Sequence, residues 1–123
     1  MVVRSVVSVV DDDESVRESL PDLLRELGFA AEAFSSAREF LGSEWLVRTQ
    51  CLILDVAMPD MTGPELQREL RRRRLEIPIV FITARADDTI RCRLIAQGAV
   101  ECLYKPFSQA ALLEALKTAL LAR

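Results

Sequence analysis

The 123-residue sequence predicts an α/β fold, a doubly wound parallel sheet of five strands alternating with five helices. Three observations carry that prediction. Short, nearly continuous apolar runs recur along the chain, segments with helical apolar spacing lie between them, and the connections are short. Continuous rather than alternating runs mark strands covered on both faces, as parallel strands are.

Ser5 to Val10 (SVVSVV) reads as the first such strand. Val16, Leu20, Leu23, Leu24 and Leu27 then share one face of a helix that Gly28 stops as its C′ residue. Pro21 falls inside this pattern, and because an interior proline costs ~3 kcal/mol, a kink or a rearranged first half is expected. Phe29 to Phe34 is a weaker second strand, and Ser36 and Glu39 have capping-box spacing ahead of a short helix through Phe40 and Leu41. Cys51 to Leu54 (CLIL) is the third strand, with Asp55 at its carboxyl end and a loop at Met58-Pro59-Asp60-Met61. Thr62 and Glu65 repeat the capping-box spacing before a helix carrying Leu66 and Leu70. Ile79 to Ile82 is the fourth strand, ended by Thr83; Asp87 or Asp88 caps a helix with Ile90, Leu94 and Ile95 before Gly98. Val100 to Tyr104 is the fifth, closed by Lys105-Pro106-Phe107, and Ser108 caps a last helix through Leu112, Leu113, Leu116 and Leu120.

Length and composition narrow the function. A chain of this size makes one domain, here taken as 1–123, and with 50% apolar and 28% charged residues it has the balance of an ordered soluble protein. No apolar run approaches the ~18 residues of a membrane span, and no signal peptide or anchor is expected. Three cysteines, odd in number and set in apolar segments, fit reduced thiols in the cytoplasm. The absence of histidine excludes His-based zinc sites, Ser-His-Asp triads and imidazole acid–base chemistry. Charge is uneven: residues 1–65 carry 13 Asp/Glu against 5 Lys/Arg, and residues 66–123 carry 6 against 11. The basic run Arg71 to Arg74 ends a helical pattern, where cations complement the dipole and sit in solvent, and it lacks interleaved aromatics. Direct nucleic-acid binding by this domain is therefore not expected.

Ligands of an open parallel sheet bind beyond the carboxyl ends of its strands. Asp11, Asp12, Asp55, Thr83 and Lys105 all stand there. A single acid after a strand is usually a cap or a solvated turn, but five polar groups on one edge make a site. Three close carboxylates repel unless a proton or a cation neutralises them, and an all-oxygen set selects a hard cation such as Mg²⁺, which characteristically bridges to phosphate. A carboxylate is also a competent nucleophile toward phosphorus, with Lys105 and Thr83 placed to bind the phosphoryl oxygens. The chemistry indicated is phosphoryl transfer onto an aspartate.

The segments VVDDDE after strand one, LDVAMPDMTG around Asp55, FITA ending at Ala84 and LYKPF around Lys105 together resemble a response-regulator receiver domain of two-component signalling. VVDDDESVRESL and AMPDMTGPEL further resemble the FixJ-type subgroup, whose receivers usually precede a helix-turn-helix DNA-binding domain. The resemblance implies a flavodoxin-like strand order 2-1-3-4-5. It implies Asp55 as phosphoacceptor, Asp11, Asp12, Asp55 and the backbone carbonyl of Ala57 as Mg²⁺ ligands, and Lys105, ahead of a cis Pro106, as a phosphoryl contact. Asp13 is expected to cap the helix or face solvent. Thr83 is the switch hydroxyl, and Ala84 is small, as access for a phosphodonor requires. Cys102 stands where the family usually has the switch aromatic, and strand alternation puts Tyr104 on the same face, making Tyr104 the candidate to replace it in part. The implied partners are a sensor histidine kinase, a second copy of the chain through the fourth helix, fifth strand and fifth helix, and a C-terminal DNA-binding output domain outside this chain; no membrane is involved.

Competing readings are weaker. A haloacid-dehalogenase-type Mg²⁺-dependent phosphatase also uses an aspartyl nucleophile, but it wants a second acid two residues on, where Ala57 stands. A phosphorylation-independent pseudo-receiver normally lacks an acid, the threonine or the lysine, and all are present. A dinucleotide-binding domain needs a glycine-rich turn after strand one, which the acidic cluster replaces.

Overall fold

A computed structural model of the protein describes residues 4–121. The elements follow in the order β1 (Val6–Val10), α1 (Glu14–Glu26), β2 (Ala30–Phe34), α2 (Ala37–Leu41), β3 (Cys51–Asp55), α3 (Gly63–Arg72), β4 (Ile79–Thr83), α4 (Asp88–Ala96), β5 (Glu101–Tyr104) and α5 (Gln109–Leu121). All strand pairs are parallel and the sheet order is β2-β1-β3-β4-β5. Each expected element is present, with edges within one or two residues of those read from the pattern.

Strand alternation divides the core into two layers. Val7, Val9, Cys51, Ile53, Val80 and Ile82 face α1 and α5, meeting Leu20, Leu24, Leu112 and Leu116. Val10, Leu52, Leu54, Phe81 and Cys102 face the other side, under Phe40 of α2, Leu66 and Leu70 of α3, and Leu94 of α4. β1, β3 and β4 are therefore the fully sandwiched strands, which is why their sequences read as unbroken apolar runs. The one polar residue within β1, Ser8, is buried and shares a hydrogen bond of 2.6 Å with Thr49, whose hydroxyl also reaches the Trp45 carbonyl at 2.7 Å.

Capping follows the sequence with two refinements. Thr62 and Glu65 form a full capping box, with Pro64 in the first turn of α3. At α2 only half the box forms: Ser36 accepts the Glu39 N–H, while the Glu39 carboxylate accepts from the Ser35 hydroxyl instead of the Ser36 amide. Asp87, not Asp88, caps α4 by accepting from Thr89 and Ile90 N–H groups, and Ser108 accepts from Ala111 N–H at the start of α5. Gly28 and Gly98 take φ of +99° and +107°, the left-handed conformation expected just past α1 and α4. α1 is one helix from Glu14 to Glu26 with Pro21 inside it, so of the two outcomes expected of the proline, a kink or a rearranged first half, the rearrangement does not occur. Pro21 is buried beside Leu20 and Leu24, so its ring adds to the apolar face and offsets the missing amide bond to Arg17.

The arginine run behaves as a solvated helix end. Arg71 to Arg74 are all exposed; Arg72 and Arg73 both bind Glu69, holding its carboxyl well below the usual range, and Arg71 donates to the Gln97 carbonyl at 2.6 Å.

The start of α3 is fixed by a close approach. A Cβ on Gly63 would lie 2.3 Å from the Asp55 carbonyl oxygen and 3.0 Å from the Phe81 ring, so only glycine lets α3 begin against the end of β3. Gly63→Ala is expected to cost about 2–3 kcal/mol in urea denaturation. Gly42→Ala, whose added carbon would make ordinary contacts of 3.5 Å and beyond, is expected to be near neutral; equal midpoints for the two variants would refute the close-approach account.

Candidate functional site

Strand register brings the polar residues to one edge. Val10 pairs with Leu54 and Asp55 with Ile82, so Asp11 follows β1 beside Asp55, and Thr83 follows Ile82 on the next strand. Thr83 pairs with Tyr104, and Lys105 donates its backbone N–H to the Thr83 carbonyl at 2.8 Å. The Lys105–Pro106 peptide bond is cis.

Asp11, Asp12 and Asp55 converge, each offering a carboxylate oxygen within 4.8 Å of the others. Asp11 is completely buried, Asp55 is 6% exposed and Asp12 is open to solvent. Lys105 Nζ lies 2.8 Å from Asp11 Oδ2 and 3.9 Å from Asp55 Oδ1, making it the shared counterion. The second Asp11 oxygen accepts the Asp13 N–H at 2.9 Å. Asp13 itself caps α1, accepting from both the amide and the hydroxyl of Ser15, and it is not a member of the carboxylate cluster.

The cluster is short of positive charge. Burial, then the charge of Asp11, push the Asp55 carboxyl up to about 7 despite the opposing pull of Lys105. Burial depresses the Lys105 ammonium, but the hydrogen bond to Asp11 and the charges of Asp55 and Asp11 outweigh it and raise its pKa. Among the described residues, the Lys105 ammonium thus pairs with two of the three clustered acids, Asp11 and Asp55. Such an all-oxygen, under-neutralised set fits a hard divalent cation of the Mg²⁺ type.

The remaining expected residues are placed less directly. Ala57 is exposed in the turn two residues after Asp55. Thr83 is buried at the same edge, and its hydroxyl accepts the Arg85 N–H at 3.1 Å. Cys102 lies in the core beneath α4, while Tyr104, on the same face of β5, donates its hydroxyl to Asp88 at the start of α4.

Two contributors escaped the sequence reading. Arg17, one turn into α1, donates to the Asp11 backbone carbonyl at 3.0 Å and so fixes the strand end; a lone arginine on a polar helix face carries no signal of this. Gly63 sets the approach of α3 to Asp55, for which the only clue was a glycine between a cap and a proline.

Comparison with known proteins agrees with this geometry. The family profile described as response regulator receiver domain matches residues 7–117. The chain is 42% identical over 117 residues to the response regulator protein TmoT of Ectopseudomonas mendocina, covering 95% of this chain and 53% of that protein. It is 39% identical over 113 residues to the transcriptional regulatory protein FixJ of Rhizobium meliloti, covering 92% and 55%. The chain therefore spans about half the length of these curated relatives. A crystal structure titled FixJ-N superposes with a TM-score of 0.88 at 36% identity, covering 99% of this chain and 98% of that one.

The raised Asp55 carboxyl has a consequence for stability. Its ordinary value is 3.8, so between about pH 4 and pH 7 the unfolded chain releases a proton that the fold retains, and stability falls across that window. Asp55→Asn removes the titration. In chelator, the variant is expected to melt about 5 °C above the parent at pH 8 and within about 1 °C of it at pH 4; equal melting temperatures at pH 8 would refute the charge strain.

Proposed function

The chain belongs to the response regulator receiver family, and from that premise we propose that it is a phosphorylation-activated switch whose phosphoacceptor is Asp55. The observation that carries the reading is the convergence of Asp11, Asp12 and Asp55 within 4.8 Å, with Lys105 as counterion, at the carboxyl edge of the sheet. Asp11, Asp12, Asp55 and the Ala57 backbone carbonyl would hold Mg²⁺, which supplies neutralisation of charge on the transferring phosphoryl oxygens.

The chain's own residues do the rest. An Asp55 carboxylate oxygen attacks phosphorus, a P–O bond forms, and the bond to the donor breaks. When the donor is the phosphohistidine of a sensor kinase, the imidazole nitrogen leaves and takes up a proton. Lys105, held beside Asp55 by Asp11, supplies an ammonium to the new phosphoryl oxygens, and the Thr83 hydroxyl supplies a second donor once it leaves Arg85. Phosphorylation adds roughly one further negative charge at a buried edge, enough to bias a two-state equilibrium by ~1–3 kcal/mol.

The output reading rests on relatives. FixJ is named a transcriptional regulatory protein and is about twice the matched length, which supports a DNA-binding output domain continuing past Arg123 and placement in the cytoplasm. Among the described residues no helix is long and apolar enough to cross a membrane. The responsive surface would comprise α4, β5 and α5, with dimerisation as its immediate consequence.

Incubation with acetyl phosphate and Mg²⁺ is expected to add about 80 Da, the mass of HPO₃, to the intact protein. Omission of Mg²⁺ or the Asp55→Asn substitution should abolish the adduct; an adduct that survives Asp55→Asn would overturn the assignment. In sedimentation velocity, an acyl-phosphate mimic should shift the protein toward dimer, and an unchanged coefficient would count against phosphorylation-promoted self-association.

A further inference from the structure

On the edge of the sheet opposite Asp55, a cleft of about 1060 Å³ opens where α3 ends and β4 and β5 begin. Volumes of that order are usual for ligand sites. The floor is apolar: Leu75, Ile77 and Val100 are half-buried, packed against the core while lining the cleft. None of the lining residues is aromatic.

The polar wall comes from α3 and the turn that ends it. Gln67 is only 6% exposed; its amide nitrogen donates to the Gln97 carbonyl at 3.4 Å, and its amide oxygen accepts no hydrogen bond among the described residues. Arg71 donates to the same carbonyl at 2.6 Å, so the negative pole at the end of α4 is already met. The Arg74 guanidinium has no partner among the described residues. Residues 68–76 carry five arginines against two glutamates, and Glu69 is taken up by Arg72 and Arg73. Glu76 is the one carboxylate on the cleft.

The backbone singles out Arg74. α1 and α4 pass into the left-handed glycines Gly28 and Gly98, whereas at the corresponding place after α3 stands Arg74, with φ of +61°. A side chain in that conformation crowds the following carbonyl, which is why glycine is the usual residue there. At this turn a cation is held at the mouth of the cleft against the preference of its own backbone, and such strain points to a function for the side chain.

An apolar floor, a cationic mouth and an unmatched acceptor in the wall are the complement of a compact amphipathic anion. A guanidinium pairs with a carboxylate through two parallel hydrogen bonds. A nucleobase would find no ring to stack on, and inorganic phosphate would leave the floor unused. We propose that this cleft is a second ligand site, which binds a small monocarboxylate whose apolar body carries a hydrogen-bond donor. The carboxylate lies on Arg74 and Arg71, the body on Leu75, Ile77 and Val100, and the donor on the Gln67 amide oxygen. The site shares no residue with the acid cluster and stands independently of the phosphoacceptor reading.

The test is a ¹H–¹⁵N titration of the labelled protein with 4-hydroxyphenylacetate as probe, beside tyramine, which keeps the ring and hydroxyl but exchanges the carboxylate for an ammonium. Saturable shifts are expected over residues 67–79 and 97–100 with a Kd of about 0.1–1 mM, and none from tyramine. Arg74→Gly is expected to bind about five- to tenfold more weakly yet to melt no lower than wild type, because glycine accepts the left-handed conformation. Arg72→Gln removes an equal charge outside the cleft and should change the Kd by less than about twofold. Absence of saturable shifts, shifts shared by tyramine, equal weakening by Arg72→Gln, or weaker binding by Arg74→Gly only at the cost of a lower melting temperature would each overturn the site.

Discussion

The Lys105–Asp11 ion pair is the constraint on which the site depends. Asp11 is completely buried, and a buried carboxylate survives only when its oxygens are occupied. One accepts the Asp13 amide and the other the Lys105 ammonium, a contact between residues 94 apart in sequence that joins the ends of β1 and β5 across two intervening strands. Removing Lys105 would leave Asp11 and Asp55 facing each other without a counterion, and removing Asp11 would leave Lys105 free to swing away from Asp55. The acid cluster and its ammonium therefore stand or fall together, and the sheet register that aligns Asp11 with Asp55 is what makes their meeting unavoidable.

That register was readable because the sandwiched strands carry almost nothing but apolar residues. CLIL and IVFI admit few other assignments, and a polar residue at the end of such a run has only the carboxyl edge to occupy. Asp11, Asp12, Asp55, Thr83 and Lys105 were located from the sequence for this reason. The less legible features depend on neighbours distant in sequence. Nothing local distinguishes Asp87 from Asp88 as a cap, and the choice decides which of them is available to Tyr104. The Arg17 contact with the Asp11 carbonyl and the Gly63 contact with Asp55 are likewise set by how a helix lands on the sheet. At Pro21 the propensity cost argued for an interruption, yet the helix assignment continues through it, and the burial that its ring obtains is a tertiary gain no local pattern displays.

The uneven charge of the chain has a structural origin as well. Acids gather after β1 and β3, where the site needs them, and the arginines gather where α3 ends, on the opposite edge of the sheet. Arg72 and Arg73 fold back on Glu69, and Arg71 reaches the Gln97 carbonyl beyond α4. These contacts are exposed and individually weak, yet they complement the carboxyl ends of the helices and keep the basic run in solvent. The asymmetry thus maps onto helix ends on one edge of the sheet and an anion cluster on the other.

Stability is distributed in a way that suits a switch. Asp11 and Asp55 sit on β1 and β3, buried on both faces, and the helix nearest Asp55 begins with a glycine locked against its carbonyl. α4 has one buried side chain, and polar bonds partly open to water tie it to β5. Elements held by deep apolar contacts open only near the global unfolding free energy, whereas those held by exposed hydrogen bonds open locally at small cost. A charge added at a rigid edge cannot be relieved by moving β1 or β3. Under the proposed phosphorylation of Asp55, the strain would meet least resistance where the fold is least buried, at α4 and the short loop that leads into it from Thr83, because the burial pattern leaves β1 and β3 no room to give.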